Sequence, residues 1–123
     1  MAKFAHNDVL DAPADLLIAR ADRLVLCNAQ PAAFANVAAA TLAAVAIDGS
    51  DFTKADGDTN GRKVTVGAQA AVPVTAGGNG NHICLVDDGA GVLLYVTTCP
   101  VQAVALDGTV DIAAWDIEFA DPA

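Results

Sequence analysis

The chain has 123 residues, 54% hydrophobic and 17% charged, with a mean hydropathy of +0.44. That balance excludes a disordered tail, which needs low hydrophobicity and high charge, and ten glycines with three cysteines exclude a collagen-like or disulfide-dense scaffold. Six basic against fifteen acidic residues give a net charge of −9, which argues against nucleic acid or an anionic membrane as partner, since both need clustered Lys and Arg.

Residues 1–7 read as an N-terminal arm, and residues 8–123 as one compact β-rich domain. The opening Met1–Asp8 segment has no apolar stretch of signal-peptide type. A helix is predicted over about 8–21, capped by Asn7 or Asp8, with Val9, Leu10, Leu16, Leu17 and Ala21 at helical spacing. Pro13 marks a weak point in it, because proline lacks the N–H that the ladder needs. Leu24–Ala29 is a short apolar run without polar alternation, which predicts a strand covered on both faces. The uncharged stretch from Leu24 to Ile47 is broken by Asn28, Gln30, Pro31, Asn36 and Thr41 and is mainly alanine, so a membrane span is rejected. Within it a short helix is expected at 32–39 and a strand at 42–47.

From Asp51 onward the chain reads as β. Runs at 62–68, 71–75, 82–87, 92–98, 101–106 and 109–119 are separated by turn signals at Asn60-Gly61, Gly77–Gly80, Asp87–Gly89, Pro100 and Asp107-Gly108. Asp107-Gly108 is the strongest hairpin signal of the set, and Gly77–Gly80 reads as a flexible hairpin tip. In the last run, Val110 and Ile112 have one parity, Trp115, Ile117 and Phe119 the other, which predicts a β-bulge near Ala113-Ala114. The fold class that follows is mainly β (α+β): a small antiparallel sandwich or roll with the N-terminal helix packed on it.

Chemistry-bearing residues are few. Asp56-Gly57-Asp58-Thr59-Asn60-Gly61 matches the opening of a calcium loop, with Asp56, Asp58 and Asn60 as the metal candidates. The match then fails, because Gly67 stands where the bidentate acid belongs and Arg62-Lys63 follow the loop. An Asx-rich hairpin loop is the competing reading. Ser50 is the only serine and His6 and His82 the only histidines; Ser50 lacks a nucleophile-elbow context, and His82 reads as a hydrogen-bonded edge histidine. Cys27, Cys84 and Cys99 lie in or beside apolar runs and read as small buried hydrophobes, with one disulfide or a reactive thiol as alternatives. No catalytic residue is named, and no cofactor is expected apart from the calcium alternative. Trp115 and Tyr95 are either core or interface anchors.

Several stretches taken together resemble a known family. They are Asn7–Ala12, Arg23–Pro31, Asp51–Thr53, Ala55–Val66, Leu94–Thr98 and Val110–Pro122, of which G-D-x-x-G-R-K (57–63) and D-I-x-x-W-D-I (111–117) are the most specific. The chain resembles small proteins encoded among the virion structural genes of tailed bacteriophages. That resemblance implies a non-enzymatic virion component, made in the host cytoplasm and carried on the outer surface of the particle. Capsid decoration (cement) is the leading role, with a tail or head–tail connector component as the alternative. The implied partners are the major capsid protein or other virion proteins, with self-association into a homo-oligomer. A calcium- or carbohydrate-binding module on the particle surface is a further alternative. Lys3 and Phe4 of the arm, and Trp115, are the contact candidates.

Overall fold

The computed structural model describes residues 5–120. The first element, α1 (Asn7–Arg20), is capped by His6, whose Nδ1 accepts from the Asp8 N–H at 3.1 Å. The cap is therefore neither Asn7 nor Asp8, and His6 and Asn7 belong to the helix region, not to an arm. The helix also runs through Pro13 unbroken. Pro13 lies on the solvent side, whereas Asp11, Ala14 and Leu17 are buried. Packing of that inner face holds the helix where the ladder lacks a donor. Lys3 and Phe4 lie outside the described residues.

The strands follow in order as β1 (Arg23–Cys27), β2 (Thr41–Ala46), β3 (Phe52–Asp56), β4 (Arg62–Val66), β5 (Gln69–Pro73), β6 (Gly78–Asp87), β7 (Val92–Val104), β8 (Thr109–Ile112) and β9 (Trp115–Phe119). A short helix, α2 (Phe34–Ala40), precedes β2, and a 3-10 turn, Gly49–Asp51, precedes β3. All pairings are antiparallel and form a large sheet β2-β1-β6-β7, a three-stranded sheet β3-β4-β9 and a two-stranded sheet β5-β8. The fold is thus mainly β with an N-terminal helix and packed antiparallel sheets, in the α+β sandwich class.

The large sheet is the middle layer, and β1 shows why. Leu24 and Leu26 point into a core shared with Val64, Val66, Val72, Val110, Ile112 and Ile117 of the smaller sheets. Val25 and Cys27 point the other way, onto Val37 and Ala40 of α2. Both faces of β1 are covered, as its unbroken apolar run predicts. The α1 helix closes the first core through Ala14 and Leu17.

Four turn readings are corrected. Asp107-Gly108 does make a tight turn, with the Gly108 N–H donating to the Ala105 carbonyl at 3.0 Å and Asp107 at φ 69°. It joins no hairpin, however: β7 pairs with β6, and β8 pairs with β5. Pro100 does not end a strand but lies inside β7, an edge strand of the large sheet, where a missing donor is tolerated. Gly77–Gly80 is not a flexible tip. Gly78–Gly80 open β6, and a Cβ on Gly80 would sit 2.6 Å from Leu26 Cγ. Ala113-Ala114 is a break and not a bulge within one strand, since β8 and β9 belong to different sheets. The parity change is nevertheless real: Val110, Ile112 and Ile117 are all buried.

Candidate interaction surface

The most specific stretches of the sequence meet in space. β4 pairs with β9, placing Lys63 opposite Glu118 and Thr65 opposite Asp116. The 57–61 loop closes the β3–β4 hairpin through a Gly57 N–H to Gly61 carbonyl bond of 2.9 Å, with Gly61 at φ 71°. Asp58 N–H donates to Glu118 Oε1 at 2.7 Å. The loop carboxylates face cations of the chain itself: Arg62 Nη1 reaches Asp56 Oδ1 at 2.7 Å, and Lys63 Nζ reaches Asp58 Oδ1 at 2.7 Å. Arg62 Nε also pairs with Asp11 of α1 at 2.9 Å, and Lys54 pairs with Asp15 at 2.6 Å. This ladder of charges fastens α1 to the three-stranded sheet.

Of the three metal candidates, Asp56 ends β3 while Asp58 and Asn60 lie in the loop, and Asp56 and Asp58 each answer a different basic side chain. Asn60 follows them in the hairpin loop. Among the described residues, no three His, Cys, Asp or Glu side chains gather as metal ligands. The ion pairs act back on their members. Hydrogen bonding to Asp11 and then Asp56 raises the Arg62 pKa, and Asp58 does the same for Lys63. The Thr65 hydroxyl, with Lys63 beside it, holds Asp116 below the usual carboxylate range.

Nucleophile and base candidates are not brought together. Ser50 bonds Asp48 inside the capping box of the 3-10 turn. His82 Nδ1 lies 2.6 Å from Asn81 Oδ1. Its strand lies between β1 and β7, so it is an interior and not an edge histidine. Cys27 and Cys84 are free and fully buried with Sγ atoms 3.5 Å apart, and Cys99 is free and half-buried. The hydrogen bond to Cys27, and then burial, push the Cys84 thiol far up.

The opposite side of the molecule has a different character. Within the large sheet the charged residues are Arg23 and Asp87, both at one end, where Arg23 pairs with Asp88 and Arg20 with Asp87. Helix α2 carries no charge at all. The far end of the sheet, where β6 starts and β7 finishes, is neutral. Its C-terminal stretch, Pro100–Leu106, holds two of the most exposed large apolar residues, Val101 at 68% and Leu106 at 60%. Comparison with family models, curated proteins and solved structures gives no match to this chain.

Beside that stretch a mainly apolar hollow of about 410 Å³ opens between β7 and the β8–β9 corner. Cys99, Pro100, Gln102 and Trp115 line it together with two carboxylates, Asp111 and Asp116, over a floor that includes Leu26 and Ile83. Tyr95 stacks on Trp115 with centroids 6.0 Å apart, bridging the large and three-stranded sheets. The Trp115 indole N–H is buried without an acceptor. Trp115 is thus both a core-packing residue and a wall of the hollow. Sequence reasoning missed Val101 and Leu106. A usable signal was present: 64–86 and 89–106, like 24–47, contain no charged residue.

Proposed function

We propose that this chain is a non-enzymatic structural protein of a tailed-bacteriophage particle, which decorates the outer head surface through contacts with the major capsid protein. The observation that carries the reading is the segregation of charge. Ion pairs run along α1, β3, β4 and β9 and at the Arg23 end of the large sheet, which leaves the strands at the sheet's other end without charged side chains and with Val101 and Leu106 exposed beside them. A soluble chain with an exposed uncharged patch of this kind has a protein contact as its natural use. The resemblance through 57–63 and 111–117 supports the particle setting. A lattice supplies many copies, so each contact can be weak and still hold collectively.

The test uses particles of the encoding phage that lack this protein. Purified chain is added, and bound protein is located by sedimentation and electron microscopy. Binding at regular positions on the head is the expected result. Binding confined to isolated tails or connectors would replace decoration by a joining role, and the absence of any binding overturns the reading.

A further inference from the structure

We infer that the hollow beside β8 is a strand-addition site, which takes an extended segment of a partner protein with a basic residue between two apolar ones. The inference rests on the reading of the chain as a particle protein and names the chemistry of the segment that its partner presents. The wall of the hollow is main chain. Residues 110–116 line it without a gap; strand side chains alternate between faces, so an unbroken run means that the backbone itself borders the space. No residue of β5 or β4, the strands paired with β8 and β9, lines it, so the space runs along their unpaired edges. Such an edge offers N–H and C=O groups to an extended chain laid beside it.

Of the edges around the hollow, β8 is the one that is regular and free. Opposite Asn81 alone, β7 places Cys99, Pro100 and Val101, and this bulge with its donor-less proline interrupts that edge. On β9, Asp116 already answers Thr65 and Lys63. The register shift between β5 and β8 lies in β5, where Ala70 and Ala71 oppose Asp111 alone. The side chains of β8 then select the occupant. Val110 and Ile112 are buried and share the floor with Leu26 and Ile83, whereas Asp111 between them is exposed. Residues directly opposite one another in a sheet share a face. An added strand therefore sets apolar side chains opposite Val110 and Ile112 and a basic one opposite Asp111. The Asp111 carboxylate accepts the Ala71 N–H at 2.8 Å and has no basic partner among the described residues. A second copy of this chain does not fit, because each strand-borne basic side chain among the described residues is already paired with a carboxylate, and the net charge of −9 sets copies against one another.

The experiment is an NMR titration of the isotope-labelled full chain with the peptide acetyl-Val-Lys-Val-Lys-Val-amide. Its acidic counterpart, with Glu for Lys, and two backbone N-methylated forms, one on the valines and one on the lysines, serve as comparisons. Saturable shifts centred on 97–102 and 110–116 are expected, with the basic peptide bound roughly tenfold more tightly than the acidic one. One of the two methylated forms should lose binding, since a strand turns alternate N–H groups towards its neighbour. Asp111→Asn keeps an acceptor for the Ala71 N–H and should weaken the basic peptide roughly threefold. Asp111→Lys should reverse the preference in favour of the acidic peptide, and circular dichroism checks the fold of both variants. No saturable shift at millimolar peptide, equal binding of basic and acidic peptides, or a preference unchanged in Asp111→Lys overturns the inference. Full binding of both methylated forms overturns strand addition. A chain that takes up the peptide but binds no particle loses the particle reading alone, and one that binds heads but not the peptide loses this inference alone.

Discussion

The two sides of this molecule hold their shape by different means. Around β3, β4 and β9 the strands are short and partly exposed, and α1 is tied to them through Asp11–Arg62 and Asp15–Lys54. Around β1 and β6 almost every side chain from Leu24 to Cys27 and from Ile83 to Val86 is buried between two apolar layers. Ion pairs at a surface contribute modestly, about 0.2–1 kcal/mol each. Burial of a full aliphatic side chain contributes about 1.5–3 kcal/mol. The neutral side is therefore the stable frame, and the charged side sets the position of the helix and the hairpin loop.

The largest expected effect tests the frame. Leu26→Ala should lower unfolding free energy by about 3 kcal/mol in urea titration. Gly80→Ala should cost about 1–3 kcal/mol, because its new methyl meets Leu26 Cγ at 2.6 Å. In the double variant the added methyl occupies space vacated by Leu26, so the combined loss should fall short of the sum; simple additivity would show that the two residues do not share one packing site.

A smaller effect is expected on the charged side. Asp11→Asn takes the charge from one partner of the Arg62 guanidinium, which keeps Asp56, and should lower the urea midpoint clearly less than Leu26→Ala does. A loss as large as that of Leu26→Ala would erase the distinction drawn between the two sides.

Acid separates them further. Asp116 and Asp87 lie below the ordinary carboxylate range, Asp87 through the Ala90 N–H and then Arg20. Their contribution is fully present above the unfolded-state value near ~3.9 and is lost as pH falls through the folded value. Lys54 and Lys63 are raised by Asp15 and Asp58, so their contribution holds below about 10.4 and fades as pH rises past the folded value. Hydrogen exchange at pH 3 should accelerate in β4 and β9, and at the Asp87 end of β6, before Leu24–Cys27 and Ile83–Leu85; simultaneous acceleration would count against the charge ladder. The smallest change expected is from calcium or a chelator, neither of which should shift the melting temperature, because Lys63 and Arg62 already occupy Asp58 and Asp56. A shift of several degrees would restore the loop as a metal site.

Much of the architecture is legible wherever the signal is local. The both-face burial of β1 follows from Leu24–Cys27, the 57–61 hairpin loop from its Asx and glycine residues, and the parity change from Val110 through Phe119. What escapes is long-range. Asp107-Gly108 dictates a turn but not the strand that pairs afterwards, and Pro100 is tolerated only because β7 has a free edge, a fact of topology. Gly80 looks like slack until Leu26, from a strand far away in sequence, is placed against it. The same holds for the surface. Trp115 is visible as an anchor because it is a lone tryptophan, whereas Val101 and Leu106 become notable only once the charges are seen to collect elsewhere.

The corner at Ala113-Ala114 has a dynamic consequence. One continuous segment supplies β8 to the two-stranded sheet and β9 to the three-stranded sheet. Detaching residues 109–119 therefore strips β5 and β4 of a partner in a single event, although these strands belong to separate sheets. The amides that β4 and β5 donate to this segment should open on a common clock, making two small sheets a single cooperative unit hinged on a pair of alanines.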